Sequence, residues 1–389
     1  MRIGIDITSA LRQGAGIGRF TRELIRALLA IGSPHTYVLF AATGGLPRSA
    51  IEPRLAYLTQ PAIARHLQCK VCDLRFVSDD WLHRIWHRAR LPIPIQAVVG
   101  RVDLFHEPDF VLPPTVPGTP TILTVHDLSF IRDPDSALPA LRRYLNRVVP
   151  RSVARATHVL ADSLATKNDL VELFGAPPKK VTVMYGGVDA RFAPVRDPEK
   201  LTAIRGKYHL GLEPFVLGLG TVQPRKNYKR LIQAFSTVKA QIPTLKLVIV
   251  GDKGWLYDEI FAEVKLARQE ASVVFPGFVE DGDLPALYSA AELLAYPSIY
   301  EGFGLPVLEA MACGTPVITS TTSSLPEVGG EAALLVEPTD VEGIAGALRR
   351  LLQDADLRRT LITKGFEQAR QFTWEKAALQ LLGIYEAGY

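Results

Sequence analysis

The chain has 389 residues, which exceeds the roughly 250 to 300 at which a single hydrophobic core stops growing, so we expect two domains. Hydrophobic residues make up 48% and charged residues 22%, a balance that excludes a disordered or fibrous protein. The net charge of +4 is too small to indicate nucleic-acid binding, although it suits a phosphorylated ligand or an anionic membrane surface.

The sequence also limits where we expect the protein to work. Residues 1–7 look like a strand and not like a secretory leader, and no apolar run reaches the ~18 residues of a membrane span. The three cysteines fit a reducing compartment without structural disulfides. We therefore expect a cytoplasmic protein that contacts a membrane, if at all, at the inner face.

Short β-rich runs alternate with longer helical patterns along the whole chain, which predicts parallel α/β layers. In the first half, a helix over 17–30 has apolar residues at helical spacing. The second half repeats the alternation, with a helix over 228–240. Strands are predicted over 2–7, 36–41, 104–106, 121–125, 158–161, 180–184, 215–219, 246–250, 273–275, 293–296, 316–318 and 333–335.

A segment over 186–213, with several prolines and a short charged helix, separates the two halves and is interpreted as a linker. We predict a first domain over 1–192 and a second domain over 193–371 that includes the linker. The amphipathic segment 373–387 forms no further strand and could return to the first domain. Because parallel sheets bind ligands at the carboxyl ends of their strands, we expect the active site in a cleft between the domains.

The most informative stretch is 300–317, where two carboxylates flank a glycine-rich loop. Glu301 precedes Gly302 and Gly304 in that loop, and Glu309 lies about one turn inside the helix that follows. Glycines before a helix start let the backbone approach a ligand closely, and the exposed N–H groups attract phosphate. The pattern therefore predicts an anion-binding loop.

The spacing of Glu301 and Glu309 disfavours a hydrolase. Eight helical residues rise about 12 Å, whereas glycosidase carboxylates stand roughly 5 to 9.5 Å apart. The span matches the two ends of an extended ligand, such as a sugar at one carboxylate and a ribose at the other. An ordinary loop, followed by a Glu309 that favours the helix dipole, is the alternative.

Two further features lie where ligands bind in parallel sheets. His126 follows an apolar strand, so it can face a ligand or simply be buried or cap the next segment. Gly14, Gly16 and Gly18 precede a helix as in a dinucleotide-binding loop. That interpretation is weakened because the second predicted strand is not followed by the acidic residue that binds a ribose, and a plain helix-start loop is the alternative.

One cluster of residues has a spacing that resembles a zinc site, and its members are Cys69, Cys72, His83 and His87. The gap of ten residues between the pairs is shorter than the usual 12 to 15, so no metal is predicted. With the neighbouring arginines, Trp81 and Trp86 could instead form an amphipathic surface that meets a lipid or a membrane. A helix that packs its aromatic side inward explains the same pattern.

Several motifs together resemble the signature of retaining family-four glycosyltransferases of the GT-B type, which have two Rossmann-like domains. The strongest is the pair Glu301 and Glu309, within Glu-Gly-Phe-Gly-Leu-Pro and Glu-Ala-Met-Ala-Cys-Gly-Thr-Pro-Val. Further similar segments lie over 13–19, 124–127, 218–227, 276–279, 290–297 and 372–374. The resemblance covers most of the second half, and it implies that 372–389 is the family's crossover helix, joined to an N-terminal acceptor domain.

The resemblance implies a role for each matching position around the donor. Glu301 would bind a hydroxyl of the donor sugar, Glu309 would bind the ribose, and Lys226 would neutralise the phosphates. The family commonly has an arginine where Thr221 stands here, so whether Arg225 contacts the diphosphate stays open. The backbone that would hold the diphosphate belongs to Gly302, Phe303, Gly304 and Leu305.

The resemblance also covers positions outside that loop. Val279 would lie near the nucleobase, and His126 would face the transferring sugar. Gly16 and Gly18 would bring the backbone of the first domain near the donor phosphate and the acceptor. The predicted catalytic residues are therefore His126, Glu301, Lys226 and Arg225. The predicted donor-binding residues are Gly16, Gly18, Thr221, Val279, Gly302, Phe303, Gly304, Leu305 and Glu309.

The function that the resemblance implies is transfer of a hexose, with retention, from a nucleotide diphosphate sugar to a hydroxyl of a glycan or lipid-linked acceptor. No Asp-x-Asp cluster occurs at a plausible strand end, so neither metal nor cofactor is expected. The motifs look most like those of bacterial mannosyltransferases of surface polysaccharide synthesis, which favours GDP-mannose over UDP-glucose. A nucleotide-sugar epimerase, a phosphorylase or a non-catalytic nucleotide-binding subunit are the alternatives.

Overall fold

The computed structural model describes residues 1–14, 16–78, 81–82, 84–88 and 91–387. Within these ranges the chain divides into two units, each with its own sheet. The first unit contains Met1–Leu128, Arg143–Gly187 and Trp374–Tyr389, and the second contains Ser129–Arg142 and Val188–Thr373. The second unit thus includes residues 129–142, which lie within the predicted first domain over 1–192.

The sheet of the first unit is parallel throughout and has seven strands. They are β1 (Arg2–Asp6), β2 (Thr36–Ala41), β3 (Cys69–Asp73), β4 (Leu104–Glu107), β5 (Thr121–Val125), β6 (His158–Ala161) and β7 (Val181–Val183). Their order across the sheet is β3-β2-β1-β4-β5-β6-β7. The chain first adds strands on one side of β1 and then, from β4 onwards, on the other side, as in doubly wound folds. All residues of β5 and β6 are buried, as expected for parallel strands covered on both faces.

Helices connect these strands, and the one formed by the amphipathic segment predicted over 373–387 belongs to the first unit. It runs over Trp374–Glu386 and packs on the helix Ile17–Ile31, with the rings of Phe20 and Trp374 in edge contact at 5.3 Å. The other helices are Thr8–Arg12, Arg48–Ala64, Gln96–Val99 and Leu164–Phe174, with a π-helical turn at Arg84–Arg88 and a 3-10 turn at Pro178–Lys180. The helix Pro139–Arg155 extends across the division between the units.

The second unit contains a six-stranded parallel sheet. Its strands are β8 (Phe215–Leu219), β9 (Lys246–Val250), β10 (Val273–Gly277), β11 (Leu293–Tyr296), β12 (Val317–Ser320) and β13 (Ala333–Val336), in the order β10-β9-β8-β11-β12-β13. Along β9, Leu247 and Ile249 join one core cluster while Val248 and Val250 join another. The period of two shows that both faces of this sheet are packed.

The helices of the second unit are short, mostly of two to four turns. They are Ser129–Arg132, Pro198–Lys207, Tyr228–Lys239, Asp258–Leu266, Leu284–Ala290, Leu305–Ala312, Leu325–Gly329, Val341–Gln353 and Ala355–Ala369, with 3-10 turns at Pro134–Ser136, Pro224–Lys226 and Gly330–Ala332. The indole N–H of Trp255 donates to the carbonyl oxygen of Ser136 at 2.6 Å, which ties the segment 129–142 to this unit. No helix in the described ranges has the length and apolar character needed to cross a bilayer.

All twelve strands predicted from the sequence are present, with ends that differ by at most two residues. The strand β3 has no counterpart among the predicted strands. This strand lies at the edge of its sheet and is only partly buried, and its residues include Lys70 and Asp73, so it lacks a clear apolar pattern.

The loops that follow β8 and β9 approach each other closely. Gly251 has a φ of +144°, and a Cβ atom on it would overlap the carbonyl oxygen of Gly220. The amide of Gly220 donates to Val250 at 2.8 Å, and Val222 forms a parallel bridge with Lys253. Glycine is needed at residue 251 because only a backbone without a side chain fits there. The packing fixes the path of the chain into the turn Pro224–Lys226.

Candidate active site

The turn Pro224–Lys226 follows β8, and the loop that contains Glu301 follows β11. These two strands are hydrogen-bonded neighbours, so their carboxyl ends lie side by side at one edge of the second sheet. The amide of Ile299 donates to the carbonyl oxygen of Arg225 at 2.9 Å and joins the two connections directly. Residues that are about 75 positions apart in the sequence meet here for this reason.

Glu301 forms two ion pairs at this edge. One carboxylate oxygen, Oε2, accepts from Nη1 of Arg225 at 2.7 Å, and the other, Oε1, accepts from Nζ of Lys226 at 2.6 Å. The Glu301 side chain is 8% exposed, and those of Arg225 and Lys226 are 17% and 10% exposed. The ammonium of Lys226 also donates to the hydroxyl oxygen of Tyr296 at 2.6 Å and stands 4.8 Å from the centre of its ring.

The charges of this cluster follow from its geometry. Burial raises the pKa of the Glu301 carboxyl, but the charges of Arg225 and Lys226 outweigh it and hold that pKa at about 2. Burial and the neighbouring Glu301 raise the pKa of Tyr296 well above its usual value. At neutral pH the cluster therefore contains two cations, one anion and a neutral phenol, which leaves a surplus positive charge. A net positive charge from which water is partly excluded would attract an anionic ligand.

The loop from Glu301 to Gly304 is held by the segment after β12. The Ser324 hydroxyl lies 2.9 Å from the carbonyl oxygen of Glu301 and 2.6 Å from that of Phe303. The Ser323 hydroxyl accepts from the amide of Glu301 at 2.9 Å. Gly304 has a φ of +119° and caps the helix Leu305–Ala312, where a Cβ would press on Leu325 at 3.0 Å.

The remaining positions predicted on the donor side have different surroundings. The carboxylate of Glu309 is buried in the first turns of that helix and accepts from the Tyr288 hydroxyl at 2.9 Å. The side chains of Val279 and Phe303 belong to the hydrophobic core, so their backbones are the parts that could meet a ligand. Thr221 is only partly buried.

Three predicted residues belong to the first unit. His126 follows β5, is buried, and has both ring nitrogens hydrogen-bonded within its unit, to Asp162 and to the Pro108 carbonyl, each at 2.7 Å. Gly16 has a φ of +56° and precedes the helix Ile17–Ile31. A Cβ on Gly18 would overlap backbone oxygens of the preceding turn, so the helix and the loop pack without space for a side chain.

Four residues of these surroundings are not among the predicted site residues, namely Tyr296, Tyr288, Ser323 and Asp162. Two of them carried a usable signal. Tyr296 ends β11 and Asp162 directly follows β6, so both lie at the carboxyl ends of parallel strands, where ligands bind. The other two could not be found from local pattern because their partners are distant in sequence.

The cysteine and histidine spacing yields no metal site in the part of the chain that the structure describes. There, no three His, Cys, Asp or Glu side chains come together as metal ligands would. Cys69 and Cys72 lie three residues apart on β3, so their side chains point to opposite faces of the sheet. His83 and the side chain of His87 lie outside the described residues.

The two tryptophans of that region have different environments. Trp81 is exposed, with the Arg84 guanidinium 5.9 Å from its ring centre. Trp86 packs partly against a core cluster of the first unit and donates to the Ile93 carbonyl at 3.0 Å. Trp81 thus fits the alternative of an exposed surface, and Trp86 fits the alternative of an aromatic side chain packed inward.

The chain matches two descriptions of known sequence families. Residues 14–192 match "Glycosyltransferase Family 4", and residues 202–368 match "Glycosyl transferases group 1". The Escherichia coli protein "O-antigen chain mannosyltransferase B" is 34% identical over 372 residues, which are 95% of this chain and 96% of that relative.

Solved structures share the fold at lower identity. Sucrose-phosphate synthase from Thermosynechococcus elongatus is 24% identical with a TM-score of 0.73, and the match covers 99% of this chain and 98% of the other. Anabaena HepE in complex with UDP and glucose is 20% identical with a TM-score of 0.73, over all of both chains. These likenesses show the fold of two parallel α/β sheets.

Replacing Glu301 with glutamine tests the ion-pair cluster. Because the change leaves two buried cations without their counter-charge, we expect a loss of unfolding free energy on the order of 3 kcal/mol at pH 7. The pKa of this carboxyl is lower in the folded protein, about 2 against the usual 4.5, so its stabilisation is present above pH 4.5. The difference between wild type and Glu301→Gln should therefore narrow as the pH falls from 4.5 towards 2.

The measurement is urea unfolding of both proteins from pH 7 to pH 3. The matched control is Glu331→Gln, because Glu331 also pairs with a lysine, Lys364 at 2.9 Å, but is 88% exposed. Water screens such a pair, so the control should change stability little at any pH. A Glu301→Gln effect as small as the control, or one that is constant with pH, would contradict the assigned pairing.

Proposed function

The chain belongs to glycosyltransferase family 4, and from this premise we propose that it transfers mannose from GDP-mannose to a hydroxyl of a glycan or glycolipid acceptor. The proposed transfer retains the configuration at the anomeric carbon and needs neither a metal ion nor a cofactor. A role in the synthesis of a surface polysaccharide is supported by the 34% identity to a mannosyltransferase of O-antigen chains over nearly the full length of both proteins.

The observation that carries the proposal is the buried cluster of Arg225, Lys226 and Glu301. When the bond from the anomeric carbon to phosphate breaks, its electron pair moves to the diphosphate, and the sugar becomes positive. Cations placed beforehand near the leaving oxygens stabilise that transition state. The surplus charge of the cluster supplies what a metal ion would otherwise supply.

The bonds within the cluster suggest how each member serves a donor. Lys226 and Arg225 occupy both oxygens of Glu301, yet each oxygen has a further lone pair that can accept from a sugar hydroxyl. Arg225 also donates to the carbonyl oxygen of Tyr300 at 2.7 Å, which fixes its guanidinium. We infer that Lys226 acts on the diphosphate while Arg225 orients Glu301, and Glu309 binds the ribose.

Retention sets the fate of the acceptor proton. In the proposed step the acceptor oxygen bonds to the anomeric carbon on the face that the diphosphate leaves. The acceptor hydroxyl proton passes to an oxygen of the departing phosphate, so charge and atoms balance without a protein base. The products are a nucleoside diphosphate and a glycoside with the donor's configuration.

A panel of nucleotides tests the donor. A matching diphosphate stabilises the folded state by mass action, by about 2.7 kcal/mol at a concentration one hundred times its dissociation constant. We expect GDP to raise the melting temperature more than UDP, and GDP-mannose to be consumed only when an acceptor is present, at a rate unchanged by EDTA.

Other results of these assays would contradict separate parts of the proposal. A larger shift with UDP would contradict the donor, and loss of activity with EDTA would contradict metal independence. Donor conversion without acceptor, or a need for inorganic phosphate, would indicate an epimerase or a phosphorylase. An inverted anomer in the product, seen by NMR, would contradict retention.

Replacing Lys226 with methionine tests the cation at the leaving group. Methionine keeps the length of the side chain but cannot donate to a phosphate oxygen, so we expect kcat to fall roughly 100- to 1,000-fold, as for loss of one transition-state donor. The control is Lys229→Met, because Lys229 belongs to the same region but is exposed and pairs with Glu259 at 2.9 Å. Equal rates for the two variants would contradict the role of Lys226.

We also propose that the first unit contacts an anionic membrane from the cytoplasmic side through a membrane-contact patch. The patch consists of the exposed apolar residues Phe76, Trp81, Leu91 and Ile93 with the exposed cations Arg75 and Arg84. Aromatic and basic side chains together favour the interface of an anionic bilayer.

Vesicle sedimentation tests the membrane-contact patch. Replacing both Phe76 and Trp81 with serine should lower binding to vesicles that contain phosphatidylglycerol by at least about tenfold, since each buried aromatic contributes roughly 1.5 to 3 kcal/mol. The control replaces Leu212 and Leu266 with serine, because these leucines of the second unit are also highly exposed. If both double variants bind the vesicles as the wild type does, or if both lose binding, the proposed role of the membrane-contact patch is wrong.

A further inference from the structure

Two adjacent strands of the first sheet place a histidine beside a carboxylate. Val125 and Ala161 form the last pair in the register of β5 and β6. The residue that follows Val125 therefore lies beside the residue that follows Ala161. These residues are His126 and Asp162, and Nδ1 of the ring lies 2.7 Å from Oδ2 of the carboxylate. Both side chains are about 95% buried, at 6% and 5% exposed.

The second ring nitrogen of His126 is also occupied. Nε2 lies 2.7 Å from the carbonyl oxygen of Pro108, which can only accept a hydrogen bond. The carboxylate of Asp162 is likewise an acceptor only when it is ionised, and in that state both ring nitrogens carry hydrogen. A histidine that serves as a base needs one bare nitrogen directed at its substrate. The geometry of His126 provides none.

The charges around the ring agree with this geometry. Burial lowers the pKa of His126, but the charge and hydrogen bond of Asp162, with smaller contributions from Asp109 and the Pro108 carbonyl, raise it to about 9. His106, which lies on the neighbouring strand β4, is buried without a carboxylate partner, and burial together with the charge of His126 lowers its pKa to about 3. Burial raises the pKa of Asp162, and the nearby Asp127 adds to this, whereas the charge and hydrogen bond of His126 lower it.

The surroundings keep the pair in place. The edges of Phe20 and Phe110 contact the His126 ring, with centres 5.3 and 5.5 Å away, and exclude water from it. Within the described residues, Oδ1 of Asp162 has no hydrogen-bond partner, so no other donor competes with His126 for this carboxylate. The Thr166 hydroxyl donates to the backbone oxygen of His126 at 3.2 Å.

We propose that Asp162 is a positioning residue that, with the Pro108 carbonyl, holds His126 as a fixed imidazolium cation. In the proposed transferase, which this inference takes as its premise, His126 is then no base for the acceptor hydroxyl. It contributes a permanent positive charge and a rigid ring at the carboxyl edge of the first sheet. The acceptor proton must go to another group, which agrees with its transfer to a donor phosphate oxygen.

The direct test is NMR of the full-length protein with 15N-labelled histidine rings, without substrate. We expect the His126 ring, assigned by its loss in His126→Gln, to show two proton-bearing nitrogens from pH 6 to above pH 8. His106 in the same spectrum should show one bare nitrogen and serves as the internal control. A bare nitrogen on His126 at pH 7 would overturn the proposal, whatever the enzyme's activity.

Asp162→Asn separates the charge from the hydrogen bond, because its amide oxygen still accepts from Nδ1. Burial then acts without the opposing charge, so we expect His126 to become neutral at pH 7. Asp162→Glu should restore the cation and thereby guard against misfolding as the explanation. A His126 ring that stays charged in Asp162→Asn would show that Asp162 does not hold it.

Activity provides a second readout. In the wild type, kcat/KM should decline only as the pH approaches about 9. In Asp162→Asn it should be lower at pH 7.5, roughly tenfold or more as for loss of a charged hydrogen bond, and should recover on acidification. A profile with unchanged shape would contradict the role of the charge. Complete inactivity of the wild type with all donors, with the NMR result intact, would instead reject only the proposed function.

Discussion

The burial of Glu301 between Arg225 and Lys226 is the interaction on which the candidate site depends. An isolated carboxylate would not remain ionised in such a site, and two isolated cations would be equally unfavourable there. Together the three groups stabilise one another and leave a surplus positive charge. The positive charge is thus in place without a ligand, and the geometry of the cluster is fixed by the same bonds that make it stable.

Backbone constraints in the second unit bring these charges together. The close approach of Gly220 and Gly251 fixes the path from β8 into the turn that carries Arg225 and Lys226. Ser323 and Ser324 fix the loop after β11 from the other side. Since β8 and β11 are neighbours, small errors in either connection would separate partners that must lie within 3 Å. The strength of the ion pairs therefore depends on the precision of two loops.

Much of the fold could be predicted because parallel strands are local features. Short runs rich in apolar and β-branched residues mark every strand except β3, which lies at an edge of its sheet and therefore needs no apolar pattern. The loop from Glu301 to Gly304 could be recognised from its glycines and carboxylate, whereas Lys226 and Arg225 were assigned through the resemblance to the family's motifs. What could not be predicted is pairing. Nothing near Glu301 in the sequence indicates that Arg225 and Tyr296 will enclose it together with Lys226, and nothing near His126 indicates Asp162.

The helix Trp374–Glu386 has a consequence for how the protein is made. It completes the first unit by packing on the helix Ile17–Ile31, and the hydroxyl of its Tyr385 lies 2.7 Å from Nδ1 of the buried His106. Its residues leave the ribosome after the whole second sheet. The first unit therefore leaves an apolar face of the helix Ile17–Ile31 uncovered while the second unit is synthesised, and such exposed surface favours aggregation until the helix Trp374–Glu386 docks.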